Sequence, residues 1–199
     1  MATTLRELAG RFRGLAAAGP SPAARRACEQ LAVAGGRRHF TTGRGPDGAP
    51  WPPLARPRPG GGSAPLRDRG LLMASLSAAW AGDTLALSAS GPGAALHQYG
   101  GTVHARGRFL TIPVTREARA AGGAARFPRP LRLVRTGART GLLVERRAGG
   151  RAKVQYVCVP AVAVPARPYV GFSGGTVAAM ADVLAEDQAK AVARSAGGT

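Results

Sequence analysis

Gly171-Phe172-Ser173-Gly174-Gly175 has the strongest claim to chemistry in this 199-residue chain. It fits G-x-S-x-G and lies between an extended run and a helical pattern, where a nucleophile elbow places its serine. An elbow of that fold needs an acid and then a histidine after the serine. His39, His97 and His104 all precede Ser173, and the parallel β/α alternation of that hydrolase fold is missing. Other triad orders exist, so a serine hydrolase stands as an alternative beside the simpler assignment of Ser173 as a helix N-cap. His97 and His104 could share a metal only with a third ligand nearby, and residues 84–116 contain no acid and no cysteine. Gly60-Gly61-Gly62-Ser63 lacks the lysine and preceding strand of a phosphate-binding loop. Cys28 and Cys158 belong to no ligand pattern and read as small buried hydrophobes. No catalytic residue, metal or cofactor is expected.

The second candidate is His97-Gln98-Tyr99 followed by Gly100-Gly101. The glycine pair permits positive φ, so three polar-tipped side chains sit where a strand or short helix ends and the chain reverses. His97 could equally be an interior histidine with a satisfied tip. The third candidate is electrostatic. The formal charge is +18, and all but two of the 28 basic residues are arginine. Between Arg126 and Lys153 stand Arg126, Arg129, Arg132, Arg135, Arg139, Arg146, Arg147, Arg151 and Lys153, against one acid, Glu145. Such a set could track phosphates on a hairpin or face a partner protein. Phe127 and Tyr156 alone interleave it, too few for the base-stacking platform of single-strand binders.

The elements that must position these groups follow from periodicity. Thr4-Leu5-Arg6-Glu7 matches a capping box before Leu5, Leu8, Phe12 and Leu15 at helical spacing. Ser21-Pro22 opens a second helix running towards His39 with Cys28, Leu31 and Ala32 inward, its end weakened by Gly35-Gly36. Seven prolines between Thr41 and Pro65 preclude regular structure, although Pro46-Asp47-Gly48 and Trp51 predict order over about 46–55 and flexibility beyond. Asp68 can cap a helix through Leu71, Leu72, Ser75, Leu76 and Trp80. Strands are expected near 84–90, 109–114, 141–146 and 153–159, with Leu131–Arg135 also extended and a helical turn within 116–126. The last two strands form a basic hairpin about Ala148-Gly149-Gly150. Ser173 caps a closing helix with Val177, Met180, Ala181, Leu184 and Ala191 on its apolar face. Asp182, Glu186 and Asp187 make it the chain's acidic element and a candidate interface. The fold class is α+β, with helices on a mainly antiparallel sheet. The chain divides into an N-terminal helical segment (1–40), a Pro/Gly-rich loop (41–65) and a core (66–194) of one domain overall. No apolar run approaches the ~18 residues of a membrane span, and no signal peptide is seen. A soluble protein acting inside a cell, or in an assembly built there, is expected.

Four pieces fall in a telling order: Pro46-Asp47-Gly48 with Trp51 and Leu54, Gly70 through Leu76, His97-Gln98-Tyr99-Gly100-Gly101, and Pro165-Ala166-Arg167-Pro168-Tyr169 leading to Gly171 and Ser173. Over roughly residues 37–190 the chain resembles the phage virion morphogenesis family, the tail completion proteins of Mu-like and P2-like phages. The stretch 115–160 is longer and richer in arginine than in compact members. The resemblance implies a structural protein of the neck or tail end, located in the virion and assembled in the bacterial host cytoplasm. It implies a homo-oligomeric ring, with a hexamer the expected size, beside other neck and tail proteins and with DNA passing its lumen. It carries over no catalytic residue. Trp51, Leu54, His97, Gln98, Tyr99, Gly100, Gly101, Arg167, Pro168 and Tyr169 would then be fold and interface residues. The alternative is a free basic protein acting on phage or host DNA.

Overall fold

A 21-residue helix, α1 (Pro22–Thr42), carries the small residues on which the first of two units is built. The computed structural model describes residues 19–59 and 62–197. The helix expected over Thr4–Leu15 lies outside them, as does Gly60-Gly61. Among the described residues, one unit takes 19–51, 69–94 and 168–197; the other takes 52–59, 62–68 and 95–167. The loop 41–65 is therefore divided between them at Trp51, and the stretch 66–194 contributes to both. The class is α+β, as the periodicity predicts.

In the first unit Ser21 caps α1, its hydroxyl accepting from Ala24 N at 3.2 Å, with Pro22 in the first helical turn. The buried face is Ala24, Cys28, Ala32, Gly36, His39 and Phe40. Gly35-Gly36, expected to weaken the helix end, lie within it, and the helix runs past His39 to stop at Gly43, left-handed at φ 68°. These two glycines are contact points. A Cβ on Gly35 would run into the Thr176 side chain, and one on Gly36 would lie 3.1 Å from Leu76 Cδ1. The helix tolerates their poor propensity because they let its backbone approach two neighbours closely.

One neighbour is the closing helix; the other is a hairpin. The helix expected from Asp68 to Trp80 is only one turn, α2 (Leu71–Ala74), with Gly70 in the N-cap position. The chain then forms β1 (Leu76–Ala81), paired antiparallel with β2 (Thr84–Ala89). Leu72, Leu76 and Trp80 fit a helical spacing, but Leu76, Ala78 and Trp80 also alternate, and that period wins. In register they meet Ala89, Leu87 and Leu85, building one apolar face across the hairpin. Gly82, at φ 60°, supplies the loop conformation that closes it. Trp80 Nε1 donates to Arg25 O at 3.0 Å, fastening the hairpin to α1. The closing helix, α3 (Gly174–Gly197), is fastened at its far end: Asp187 accepts from Ser21 N at 2.8 Å and Ser21 Oγ at 2.6 Å. Its half-buried face is Thr176, Met180, Val183, Leu184, Asp187 and Ala191, whereas Val177 and Ala181, expected inward, are exposed.

The second unit holds a short helix, α4 (Ala94–Tyr99, its first residue in the other unit), and β3 (Gly101–His104) paired with β8 (Ala161–Val164). Its main sheet has the order β4-β7-β6-β5, all antiparallel: β4 (Leu110–Pro113), β7 (Ala152–Val159), β6 (Thr140–Arg146) and β5 (Leu131–Gly137). Pro113 ends an edge strand, where its missing N–H is harmless. The four expected strands are present; β1 and β3 were not foreseen. A helical turn, α5 (Arg116–Ala120), covers one face of this sheet. There Ala118, Phe127 and Tyr156 form a core, with Phe127 edge-on to Tyr156 at 6.0 Å. The other face bears two aliphatic rows: Val134, Leu142, Val157 and Ile112 lie in register across all four strands, and Val144 meets Val154 beside them. None of these six is fully buried, and Val134 is 43% exposed.

The close approach at Gly35 gives a test in which two effects have opposite signs. Helix propensity alone makes Gly35→Ala stabilising by about 1 kcal/mol. Overpacking against Thr176, whose hydroxyl is held by Ser173 Oγ at 2.9 Å, should outweigh it and destabilise by about 1–3 kcal/mol. Urea unfolding should show the midpoint falling, and Thr176→Ala in the same chain should recover part of the loss.

Candidate functional site

In the first unit the Pro46-Asp47-Gly48 turn is built by local bonds: Asp47 Oδ1 accepts from Ala49 N at 3.0 Å, and Gly45 N donates to Ala49 O at 2.8 Å. This turn delivers Trp51 into the interior at 6% exposure. Trp51 stacks edge-on to Phe40 at 5.7 Å and donates Nε1–H to Pro168 O at 2.8 Å. Tyr169 packs on the same Phe40 at 5.2 Å, donates its hydroxyl to Ala94 O at 3.2 Å, and accepts a hydrogen bond from His39 Nδ1 on its carbonyl at 2.9 Å. Gly171 lies so close to Pro46 that a Cβ there would sit 2.6 Å from the ring. Trp51, Pro168 and Tyr169, singled out from the sequence, thus meet around Phe40 and His39, which were not. His39 and Phe40 fall where the helical pattern fades, so their inward direction was not legible.

In the second unit His97-Gln98-Tyr99 ends α4, and the chain reverses through Gly100 (φ 72°) and Gly101 (φ 145°) into β3. A Cβ on Gly100 would lie 2.7 Å from Ala166 N, so this glycine is fixed by crowding as well as by φ. Arg167 N donates to His97 O at 2.8 Å. The Arg167 side chain is buried, with Nε donating to Pro52 O at 2.8 Å and Nη2 to Pro53 O at 2.9 Å. Burial, then the Arg58 charge, push its pKa down, yet a guanidinium remains charged throughout the accessible range. Burial, with Arg167 second, lowers the His97 pKa, favouring the neutral ring. His97 Nδ1 is the one buried side-chain nitrogen or oxygen without a hydrogen-bond partner among the described residues. Leu54 is half-buried, and Tyr99 is 79% exposed.

The basic set divides in two. Arg129, Arg147 and Lys153 are engaged by two carboxylates: Glu145, which is buried, and Glu117 on α5. Gln155, completely buried in a bulge of β7, donates Nε2 to Glu145 at 2.5 Å and to Glu117 at 3.2 Å. Burial raises the Glu145 carboxyl, but the Arg129 and Gln155 hydrogen bonds and the charges of Arg129 and Arg147 more than offset it, so its pKa falls below the usual range. Nothing in the sequence pattern marks Glu117 or Gln155; a bulge that turns a polar strand residue inward leaves no periodic signal. Arg126, Arg132, Arg135, Arg139, Arg146 and Arg151 are exposed and make no ion pair with any described residue.

The acidic helix face is likewise partly occupied. Asp187 is tied to Ser21, and those hydrogen bonds hold its carboxyl below its ordinary value. Glu186 pairs with Lys190 at 2.7 Å, leaving Asp182 exposed without an ion pair. Asp187 is therefore an internal tether, so reversing all three acids would damage packing as well as charge. Ser173 Oγ accepts from Thr176 N at 3.3 Å, as an N-cap does. Among the described residues no three His, Cys, Asp or Glu side chains cluster as metal ligands, and no helix is long and apolar enough to cross a membrane.

Two outcomes follow for the buried donors and acids. Trp51→Phe keeps an aromatic side chain but loses indole volume and the donor to Pro168 O, and should destabilise by about 1–3 kcal/mol in urea melts. Glu145 has a folded pKa below its unfolded one, so its stabilisation is complete above roughly pH 4 and is lost as pH falls through the folded value. The melting temperature should drop below about pH 4, and Glu145→Gln should flatten that acid limb while lowering stability at neutral pH.

Searches of curated proteins and of solved structures return no match to this chain. A family model does match: that of the phage virion morphogenesis family, over residues 3–133. The match begins well before residue 37, the start of the resemblance in the motifs, and ends before the Pro165–Tyr169 segment. With the greater part of its length covered, the chain belongs to the phage virion morphogenesis family.

Proposed function

We propose that this protein is a structural subunit of the virion neck or tail end, that it completes the tail for joining to a DNA-filled head, and that it works as a homo-oligomeric ring without catalysing a reaction. One observation carries this beyond family membership. Four polar side chains that could serve chemistry hold the backbone instead: Ser173 caps a helix, His39 and Trp51 bond carbonyls, and Arg167 spans two prolines. Deleting the gene and imaging the particles tests the reading. DNA-filled heads beside unattached or malformed tails are expected; normal infectious particles would refute it.

Within this reading the exposed arginines Arg126, Arg135, Arg139 and Arg151 line the passage of DNA, with other neck and tail proteins at the ring's ends. Arginine without a carboxylate partner keeps its full attraction for phosphate. Arg135→Ala, Arg139→Ala and Arg151→Ala together should weaken sequence-independent DNA binding. The slope of log affinity against log salt should become shallower by about 0.9 for each phosphate no longer neutralised. Unchanged binding and infectivity would remove DNA as the partner of this face. The same arginines support a second reading, a free DNA-binding protein, which would bind DNA tightly as a monomer or dimer and be absent from purified particles.

A further inference from the structure

We infer that the aliphatic face of the four-stranded sheet receives the outer face of α3 from a second copy of the chain, head to tail. This deepens the ring reading and rests on it. The two faces of the sheet differ in burial along the same strands. On β7, Tyr156 is 0% and Cys158 1% exposed on the core side, while Val154 and Val157, on the other side, are only half-buried. On that side the Val134–Leu142–Val157–Ile112 row runs unbroken across four strands. A broad aliphatic sheet face is stable in water only when another layer covers it.

Charge selects the occupant. Arg132, in register with Val144, stands at the rim of this face, and Arg146 ends the neighbouring strand; both are exposed without an ion pair. Two such faces packed together would oppose their arginines, which disfavours a face-to-face dimer. The outer side of α3 is the complement: Val177 is 50% and Val192 38% exposed, Ala181 and Ala185 lie exposed between them, and Asp182 is the adjacent unpaired carboxylate. A helix bearing small and branched apolar residues can seat on an aliphatic sheet, with Asp182 reaching Arg132 at its edge. Each copy carries one face of each kind, so the contact is heterologous and repeats until it closes.

Cysteine pairing between differently substituted copies tests the geometry. Cys28 and Cys158 are buried, so introduced thiols report alone. A chain with Val144→Cys mixed with a chain carrying Ala181→Cys should form a disulfide-linked dimer under mild oxidation, while each variant alone stays unlinked. Dimers of the Val144→Cys chain with itself would mean face-to-face packing and overturn the proposal. Wild-type rings with no mixed crosslink would overturn this pairing and leave the ring intact. A wild-type chain that stays monomeric, together with normal particles from the deletion, would refute the ring reading itself. Asp182→Arg should weaken self-association about tenfold or more, and Arg132→Asp in the same chain should restore it; failure of the second change to rescue would remove Asp182 from the interface.

Discussion

Buried carbonyls outside any ladder need donors, and this fold depends on how they get them. Proline-rich segments cannot pair regularly, because each proline lacks an N–H, so their carbonyls reach the interior without strand partners. Here side chains supply the bonds: Trp51 to Pro168 O, Arg167 to Pro52 O and Pro53 O, His39 to Tyr169 O, and Tyr169 to Ala94 O. The same device recurs inside the regular elements, with Trp80 bonded to Arg25 O and Tyr156 to Ala118 O. Each donor also brings apolar surface, so one residue both fills the core and satisfies a carbonyl.

This double use suits the composition. With 29 glycines, 16 prolines and few large aliphatics, the interior cannot be a broad leucine-rich layer. The first unit instead brings backbones close at Gly35 and Gly36 and packs two aromatic side chains, Trp51 and Tyr169, against Phe40. The second packs Tyr156 in a cluster with Phe127, three alanines and two leucines, and holds a hydrogen-bonded carboxylate and amide, Glu145 and Gln155, on the same sheet. A buried carboxylate is tolerable because it is paired with Arg129 and hydrogen-bonded by Gln155. The chain leaves an aliphatic sheet face only half-buried and six exposed arginines without an ion pair to any described residue.

The residue whose motif suggested a nucleophile is used as a helix cap. A nucleophile elbow holds its serine free and strained; Ser173 is instead bonded into the first turn of α3. The arginines contrast within one sheet. Those on the Glu117–Glu145 side are neutralised within the chain and act on its stability. Those on the rims make no ion pair with any described residue.

Periodicity and turn chemistry determined the class, the four principal strand positions, the basic hairpin and the capped helix after Ser173, because those signals are local. The motif pieces singled out Trp51, Arg167 and Tyr169 as fold and interface residues; that each bonds a backbone carbonyl came only from the folded chain. Tertiary structure decided the rest. Leu76–Trp80 satisfied two periods, and only the partner strand Thr84–Ala89 resolved them. Gly35-Gly36 reads as a breaker until a neighbouring helix needs the space. Which of nine basic residues remain unpaired depended on a bulge at Gln155 and on Glu117 arriving from another element. Asp187 became a tether rather than a surface charge because Ser21, far away in sequence, came within 2.6 Å of it. Local preference is written residue by residue, but pairing over long sequence separations is settled only by what the folded chain brings together.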